Sequence, residues 1–238
     1  GIICQEKAVA LQPRDPGLLG NLGNVLRDLG RLDEARRTFE KAREIAPNEI
    51  GPNLGLAITL NALKHHEHLI RELEPFVEKI DFEKDNNQAS ELILEVGNAY
   101  HCLGNETQAL ILWEKARIHS QGEKQLAMVL NTAQVLCNKD KYKEAENLLR
   151  PYLKNFPIQP NLIYAIGVTV RGQGRWEEAC ELFTRALKHD PNYAICLNTY
   201  GLLLREMAQI HQSRHCFERA LKIDRTFGAA MNNLGSVL

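Results

Sequence analysis

A motif of about 34 residues recurs along this chain, and its period constrains the fold more than any local feature. A small residue marks the eighth position of every copy: Gly23, Ala57, Gly97, Ala133, Gly167, Gly201 and Gly235. Another marks the twentieth position in most copies: Ala35, Ala109, Ala145, Ala179 and Ser213. Four residues beyond the twentieth, several copies carry a large aromatic residue: Phe39, Trp113, Phe183 and Phe217. Such a period indicates helical units that stack, because one unit alone leaves its apolar face uncovered.

The recurring positions resemble the tetratricopeptide repeat, a helix–turn–helix unit with small residues, an aromatic residue and a closing proline in fixed register. A further small residue follows each aromatic by three positions: Ala42, Ala116, Ala186 and Ala220. Pro47 and Pro191 close two of the copies. The resemblance covers essentially the whole chain. It implies an all-α fold, a right-handed superhelical solenoid with about six full repeats and half a repeat at each end.

The register predicts a single solenoid over residues 1–238 and places its boundaries. These are a half repeat at 1–15, full repeats at 16–49, 50–85, 86–123, 124–159, 160–193 and 194–227, and a truncated repeat at 228–238. The chain begins in the second helix of one repeat and stops in the first helix of another. We therefore expect an excerpt of a longer protein.

Two repeats depart from the pattern. In repeat 50–85, which is degenerate, Leu69 and Phe76 stand where small residues are expected, and Pro75 predicts a kink or shift in the second helix. The stretch 81–88 then lengthens the linker. In repeat 124–159, Tyr152 occupies the third small position behind a two-residue insertion. We expect irregular stacking across these repeats, and Gly30, Gly104 and Gly174 to supply positive φ at the turns of the others.

Composition excludes several classes of function. The net charge of −1 gives no electrostatic basis for binding nucleic acid. No apolar run approaches the roughly 20 residues that span a bilayer, so no membrane insertion is expected. The six cysteines include no C-x-x-C pair and are typical of reduced thiols, which favours a cytoplasmic, intracellular location.

No catalytic signature is present. The chain has no Gly-rich phosphate loop, nucleophile elbow or H-E-x-x-H motif, so we predict a protein that is not itself an enzyme and takes no cofactor. His65 and His68 are the best metal candidates, but a solvated polar turn is the simpler interpretation and no metal is expected. His211 and His215 lie on the outer, polar side of their helix in this register. The two tryptophans, Trp113 and Trp176, are interpreted as core residues.

The first helices of stacked helix pairs line an extended binding surface. The register predicts which polar residues face it: Asn21, Asn24, Arg27, Glu95, Asn98, His101, Asn131, Gln134, Tyr164, Arg171, Asn198 and Arg205. An asparagine amide both donates and accepts, so it can match the N–H and C=O groups of an extended peptide. The alternative is that these asparagines are solvated or cap local backbone.

The run Asn21–Asn24 is similar to the asparagine ladder in the repeat arm of O-linked N-acetylglucosamine transferases. Other repeats lack asparagine at the sixth position of the repeat, which breaks the ladder: Gly55, Glu95, Ala165 and Thr199. No register supplies the Lys, Asn and Arg set of a chaperone-tail carboxylate clamp, so none is predicted.

The leading hypothesis is a non-catalytic scaffold that binds a protein or peptide partner. The alternatives are the substrate-recognition arm of a larger enzyme, such as a glycosyltransferase, and self-association through the array ends near Leu234 and Leu238.

Overall fold

The computed structural model describes residues 1–80 and 86–237, with side chains given for 1–80 and 88–237. Every regular element in these ranges is helical, which confirms the all-α prediction. The elements are α1 (Ile2–Leu11), α2 (Pro16–Asp28), α3 (Leu32–Ile45), α4 (Ile50–Ala62), α5 (His66–Val77), α6 (Asn86–Cys102), α7 (Glu106–Ile118), α8 (Gly122–Asn138), α9 (Tyr142–Leu149), a 3₁₀ helix (Arg150–Lys154), α10 (Pro160–Gly172), α11 (Trp176–His189), α12 (Ala194–Glu206), α13 (Ile210–Ile223) and α14 (Gly228–Gly235).

The chain divides into two compact units, Gly1–Met128 and Val129–Leu238. Within the first, α2 packs on α3, α4 on α5, and α6 on α7. Within the second, α10 packs on α11, and α12 on α13. Each pair is one helix–turn–helix unit. Residues 81–85 and Leu238 lie outside the described residues, so the predictions placed on them have no structural counterpart here.

The small eighth residue of a repeat makes room for its aromatic residue. A Cβ atom built on Gly97 would lie 2.7 Å from the indole of Trp113. The corresponding distances are 2.7 Å from Gly167 to the ring of Phe183 and 2.6 Å from Gly201 to the ring of Phe217. These aromatic side chains are almost wholly buried. The recurrence seen in the sequence therefore marks one contact, in which a ring lies flush against the backbone of the paired helix.

The turn between the two helices of a repeat contains one residue with positive φ, in the left-handed region. Gly30, Gly104 and Gly174 have φ of 74°, 80° and 75°, as the sequence predicts. Other repeats place non-glycine residues in the same conformation: Lys64, Asp140 and Ala208 have φ near 60°. The turn geometry is thus common to regular and degenerate repeats, although an L side chain there adds strain.

The degenerate repeat keeps both of its helices. Helix α5 includes Pro75 and ends two residues later, at Val77. The linker predicted at 81–88 ends earlier than expected, because α6 already begins at Asn86. In the 124–159 repeat the expected irregularity is present: α9 ends at Leu149, and a 3₁₀ helix containing Pro151 and Tyr152 follows. Proline lacks the N–H that would extend an α-helical ladder.

The prediction of a core position is confirmed for one tryptophan and wrong for the other. Trp113 is 1% exposed, whereas Trp176 is 39% exposed. Trp176 is the first residue of α11, directly after the turn. A side chain at the start of a helix reaches back over the turn rather than into the pair interface, which the repeat register alone does not reveal.

A buried carboxylate joins several elements of the second unit. Glu146 on α9 is 6% exposed and accepts hydrogen bonds from Arg150 Nε at 2.5 Å, Gln173 Nε2 at 2.7 Å and Arg175 Nη1 at 2.8 Å. Both arginines also contact Glu178. Burial raises the pKa of Glu146, but the hydrogen bonds from Gln173 and the two arginines outweigh it, so its pKa lies below the ordinary value.

Glu146→Gln is expected to lower the free energy of unfolding at pH 7 by about 1–2 kcal/mol, because it leaves the two half-exposed arginines poorly paired. The lowered pKa means that this stabilisation is present above the unfolded-state value and is lost as pH falls through the folded-state value. Urea titrations from pH 7 to pH 3 should therefore show the two proteins converging below about pH 4.5. Glu144→Gln, at an exposed ion pair on the same helix, is the control and should change stability by less than about 0.5 kcal/mol. A pH-independent difference would contradict the linkage.

Candidate functional site

First helices of successive repeats line a cavity of about 400 Å³ in the first unit. Helix α2 contributes Asn21, Asn24 and Arg27, three of the residues predicted to face a groove. Helix α4 forms the opposite wall, and α6 adds polar side chains at one end. The remaining lining residues are Pro16, Gly17, Gly20, Phe39, Glu49, Gly51, Pro52, Leu54, Gly55, Ile58, Gln88 and Glu91.

A second cavity of about 310 Å³ adjoins the first and shares Leu54, Ile58 and Glu91 with it. Its other lining residues come from α6 and the start of α8: Leu94, Glu95, Glu123, Lys124 and Ala127. Together the two cavities form a groove across α2, α4, α6 and α8 of the first unit, which is called the N-terminal groove below. Its width comes from missing side chains, since a Cβ on Gly20 would meet no atom within 4 Å.

Arg27 lies at the bottom of the N-terminal groove. Its guanidinium carbon is 5.9 Å from the ring centroid of Phe39, a cation–π distance. Its Nη1 atom is buried and has no hydrogen-bond partner among the described residues. A buried guanidinium N–H without an acceptor is costly, and the Arg27 side chain also lines the cavity, where its charge can attract a ligand oxygen. Asn24 and Asn21 are exposed about one and two turns before Arg27 on α2, and neither amide has a hydrogen-bond partner in the described part of the chain.

Glu95 is a predicted site residue that the structure places in an internal network. Its carboxylate accepts a hydrogen bond of 2.6 Å from Asn61 Nδ2, and its backbone carbonyl accepts one of 3.0 Å from the same amide. Burial raises the pKa of Glu95 above its ordinary value, against the opposing effects of Asn61 and the charge of Arg27. Glu95 therefore joins α6 to α4 beside the groove.

Asn98 and His101 support the core of the first unit. The Nε1 atom of Trp113 donates to Asn98 Oδ1 at 3.2 Å. The His101 ring centroid lies 5.4 Å from that of the same indole, at a tilt of 56°. Both residues lie on the predicted side of α6, but Asn98 also accepts the hydrogen bond of the buried indole N–H, and His101 packs against the indole ring. Sequence reasoning missed this role because it treated the aromatic position as purely apolar.

In the second unit, the predicted site residues pair with the next repeat. Tyr164 Oη lies 3.1 Å from Thr199 Oγ1, and Asn198 Oδ1 accepts from Asn233 Nδ2 at 2.9 Å. Arg171 forms an ion pair with Glu206, and Arg205 donates to Ser236 Oγ at 2.7 Å. The remaining two predicted residues lie on α8: Asn131 is half-buried, and exposed Gln134 donates to Asn138 Oδ1 at 2.9 Å. These side chains already have internal partners, unlike Asn21 and Asn24.

The sequence's metal candidates do not converge on a site. His65 is exposed, and His68 Nε2 lies 4.0 Å from Glu72. Among the residues that the structure describes, no three His, Cys, Asp or Glu side chains are placed to hold a metal ion. None of the described helices combines the length and apolarity that crossing a membrane requires.

A family model described as tetratricopeptide repeat matches residues 16–73 and 160–226, more than half of the chain. The chain therefore belongs to the tetratricopeptide repeat family, whose members are in general non-catalytic scaffolds for protein interactions. None of the curated proteins compared with the chain matches it significantly.

Solved structures share the fold at low sequence identity. A chain from the crystal structure of the APC/C hetero-tetramer Cut9–Hcn1 is 16% identical, with a TM-score of 0.76 over 99% of this chain. The present chain spans 45% of that one. A tetratricopeptide repeat protein from Parabacteroides merdae is also 16% identical, with a TM-score of 0.74 over 99% of this chain and 90% of the other. At this identity the likeness shows the repeat fold alone.

Proposed function

We propose that this chain is a non-catalytic scaffold that binds an extended peptide segment of a partner protein in the N-terminal groove. The observation that carries the proposal is Arg27, which lines an open cavity and whose buried Nη1 atom has no acceptor among the described residues. The exposed amides of Asn21 and Asn24, without partners in the same described ranges, line the cavity with it. An amide that donates and accepts suits a peptide backbone, and Arg27 suits a carbonyl or carboxylate oxygen. The family's general role in protein interactions supports this reading.

Gly20→Leu is expected to abolish such binding without unfolding the protein. The new side chain enters the cavity, where a Cβ meets no neighbour, and leucine is a better helix former than glycine. The probe is a display library of random 12-residue peptides selected on the unaltered chain. Selected peptides are then synthesised and titrated by fluorescence anisotropy. We expect Gly20→Leu to weaken binding at least about 100-fold, and the Asn21→Ala/Asn24→Ala double variant to weaken it about 10-fold.

Gly228→Leu is the matched control, since Gly228 is another helical glycine with open space around it, in the second unit. It should bind the peptides as the unaltered chain does. Peptides that bind Gly20→Leu with unchanged affinity would rule out the N-terminal groove as the site. Asn98 is left unaltered, because its substitution would also disturb Trp113.

A second candidate function is the substrate-recognition arm of a larger enzyme such as a glycosyltransferase. The similarity of Asn21–Asn24 to the transferases' asparagine ladder favours it. Both readings use the same groove and differ in what is attached to it. The gene that encodes the chain decides between them, since the second requires a catalytic domain in the same protein.

A reducing, intracellular compartment is part of the proposal. The six cysteines are free thiols. Burial raises the pKa of Cys196 to about 12 and that of Cys216 to about 11, so these two remain protonated and unreactive in the folded protein.

A further inference from the structure

The second cavity of the N-terminal groove has an apolar floor. Leu54 and Ile58 of α4 lie beside Leu94 of α6 and Ala127 of α8. Leu54 is 8% exposed, and the other three are half-buried. A floor of this kind is partly open to solvent in the free protein. It favours a ligand side chain that brings several methylene groups, because each one removed from water contributes to binding.

The rim of the same cavity carries more carboxylates than cations. Glu91, Glu95 and Glu123 face one basic residue, Lys124. The ammonium of Lys124 contacts the carboxylate of Glu91, which leaves that pair close to neutral. The carboxylate of Glu123 is exposed and has no ion-pair partner among the described residues. The surplus charge of this end of the groove is therefore negative, whereas the other end holds Arg27.

A lysine or arginine side chain fits both features at once. Its aliphatic stem can lie on apolar surface while its charged head stays at the polar rim. An acidic side chain would meet repulsion from Glu123, and a purely aliphatic one would leave the charge of Glu123 without a counter-charge. Asn21 and Asn24 line the first cavity and not the second, which suits the first to a peptide backbone and the second to a side chain.

We propose that the occupant of the groove is an extended peptide segment with a lysine or arginine side chain seated in the second cavity, over Leu54, Ile58 and Leu94 and against the carboxylates of Glu91 and Glu123. This inference rests on the proposed function and adds the chemistry of the partner. Arg27 and the two asparagines hold the adjoining backbone. The segment is thereby positioned with its basic residue toward α8.

The test uses the full chain and the same peptide library. Selected peptides should share one basic position, and replacing that residue by norleucine, which keeps the stem and removes the charge, should weaken binding about 10-fold at low salt. Glu123→Lys should weaken binding of the parent peptide by at least that factor. It should bind more tightly a peptide in which glutamate replaces the basic residue. Lys124→Gln, which removes the ion-pair contact to the Glu91 carboxylate, should increase the affinity for the parent peptide several-fold. Glu177→Lys, an exposed residue of the second unit, is the charge-matched control and should leave both affinities unchanged.

Two outcomes overturn the inference in distinguishable ways. If binding depends on Gly20 but selected peptides carry neutral or acidic residues throughout, the groove function stands and the basic-residue assignment fails. If norleucine or Glu123→Lys leaves affinity unchanged, the assignment fails as well. If no peptide binds in a Gly20-dependent manner, the proposed function and this inference fail together.

Discussion

Replacing Trp113 by alanine is expected to lower the free energy of unfolding by about 3–5 kcal/mol. The indole is 1% exposed, lies against the backbone of Gly97, packs at a tilt against His101 and donates to Asn98 Oδ1. Its removal leaves a cavity and an amide without its donor. The effect can be measured by urea unfolding followed by far-ultraviolet circular dichroism, with the unfolding slope checked for loss of cooperativity.

Trp176 provides the matched control, because Trp113 and Trp176 are the chain's two tryptophans. Trp176→Ala removes a side chain that is 39% exposed and should change stability by less than about 1 kcal/mol. Equal losses at the two positions would show that the burial assigned to Trp113 is wrong. The remaining tryptophan in each variant reports its own environment by fluorescence, which tests the two burial assignments independently.

Gly55→Ala is expected to destabilise the protein by about 1–3 kcal/mol, although alanine is the better helix former. A Cβ at this position would lie 2.2 Å from Cε1 of Phe39. The ring cannot move aside freely, because a Cβ on Gly23 would lie 2.7 Å from its Cζ atom and Arg27 lies over its face. Thermal and urea unfolding of the variant measure the change.

Gly20→Ala is the control of opposite sign. Both glycines lie inside helices, but only Gly55 faces a ring. Gly20→Ala should stabilise by about 0.5–1 kcal/mol through helix propensity alone. The double variant Gly55→Ala/Phe39→Leu should recover part of the loss, since a smaller side chain makes room for the methyl group. Stabilisation by Gly55→Ala alone would show that Phe39 can repack at little cost.

The repeat class was predictable because a few positions carry the packing. The glycine and aromatic residues of one helix pair, such as Gly97 and Trp113, recur in register, although their contact appears only in the structure. The left-handed turn was predictable only where glycine marks it. Lys64, Asp140 and Ala208 adopt the same conformation without that signal.

The candidate site was predictable in position but less so in role. The register placed Asn21, Asn24 and Arg27 on one face of α2, and these three line the cavity. The register could not show that Asn198 and Tyr164 hydrogen-bond to the next repeat, because such pairs depend on how the first helices stack. The gap in the asparagine ladder at Gly55 also has its reason only in three dimensions, where Phe39 leaves no space for a side chain.

The seating of Phe39 between two glycines has an evolutionary consequence. Gly23 belongs to the same repeat as Phe39, and Gly55 to the next, so one ring couples residues 32 positions apart in the chain. Genetic change at this point should be concerted: descendants of this gene with a bulkier residue at position 55 should also carry a smaller one at position 39. Duplicating or exchanging either repeat alone would separate Phe39 from Gly55. This favours inheritance of the repeats at 16–49 and 50–85 as a single block.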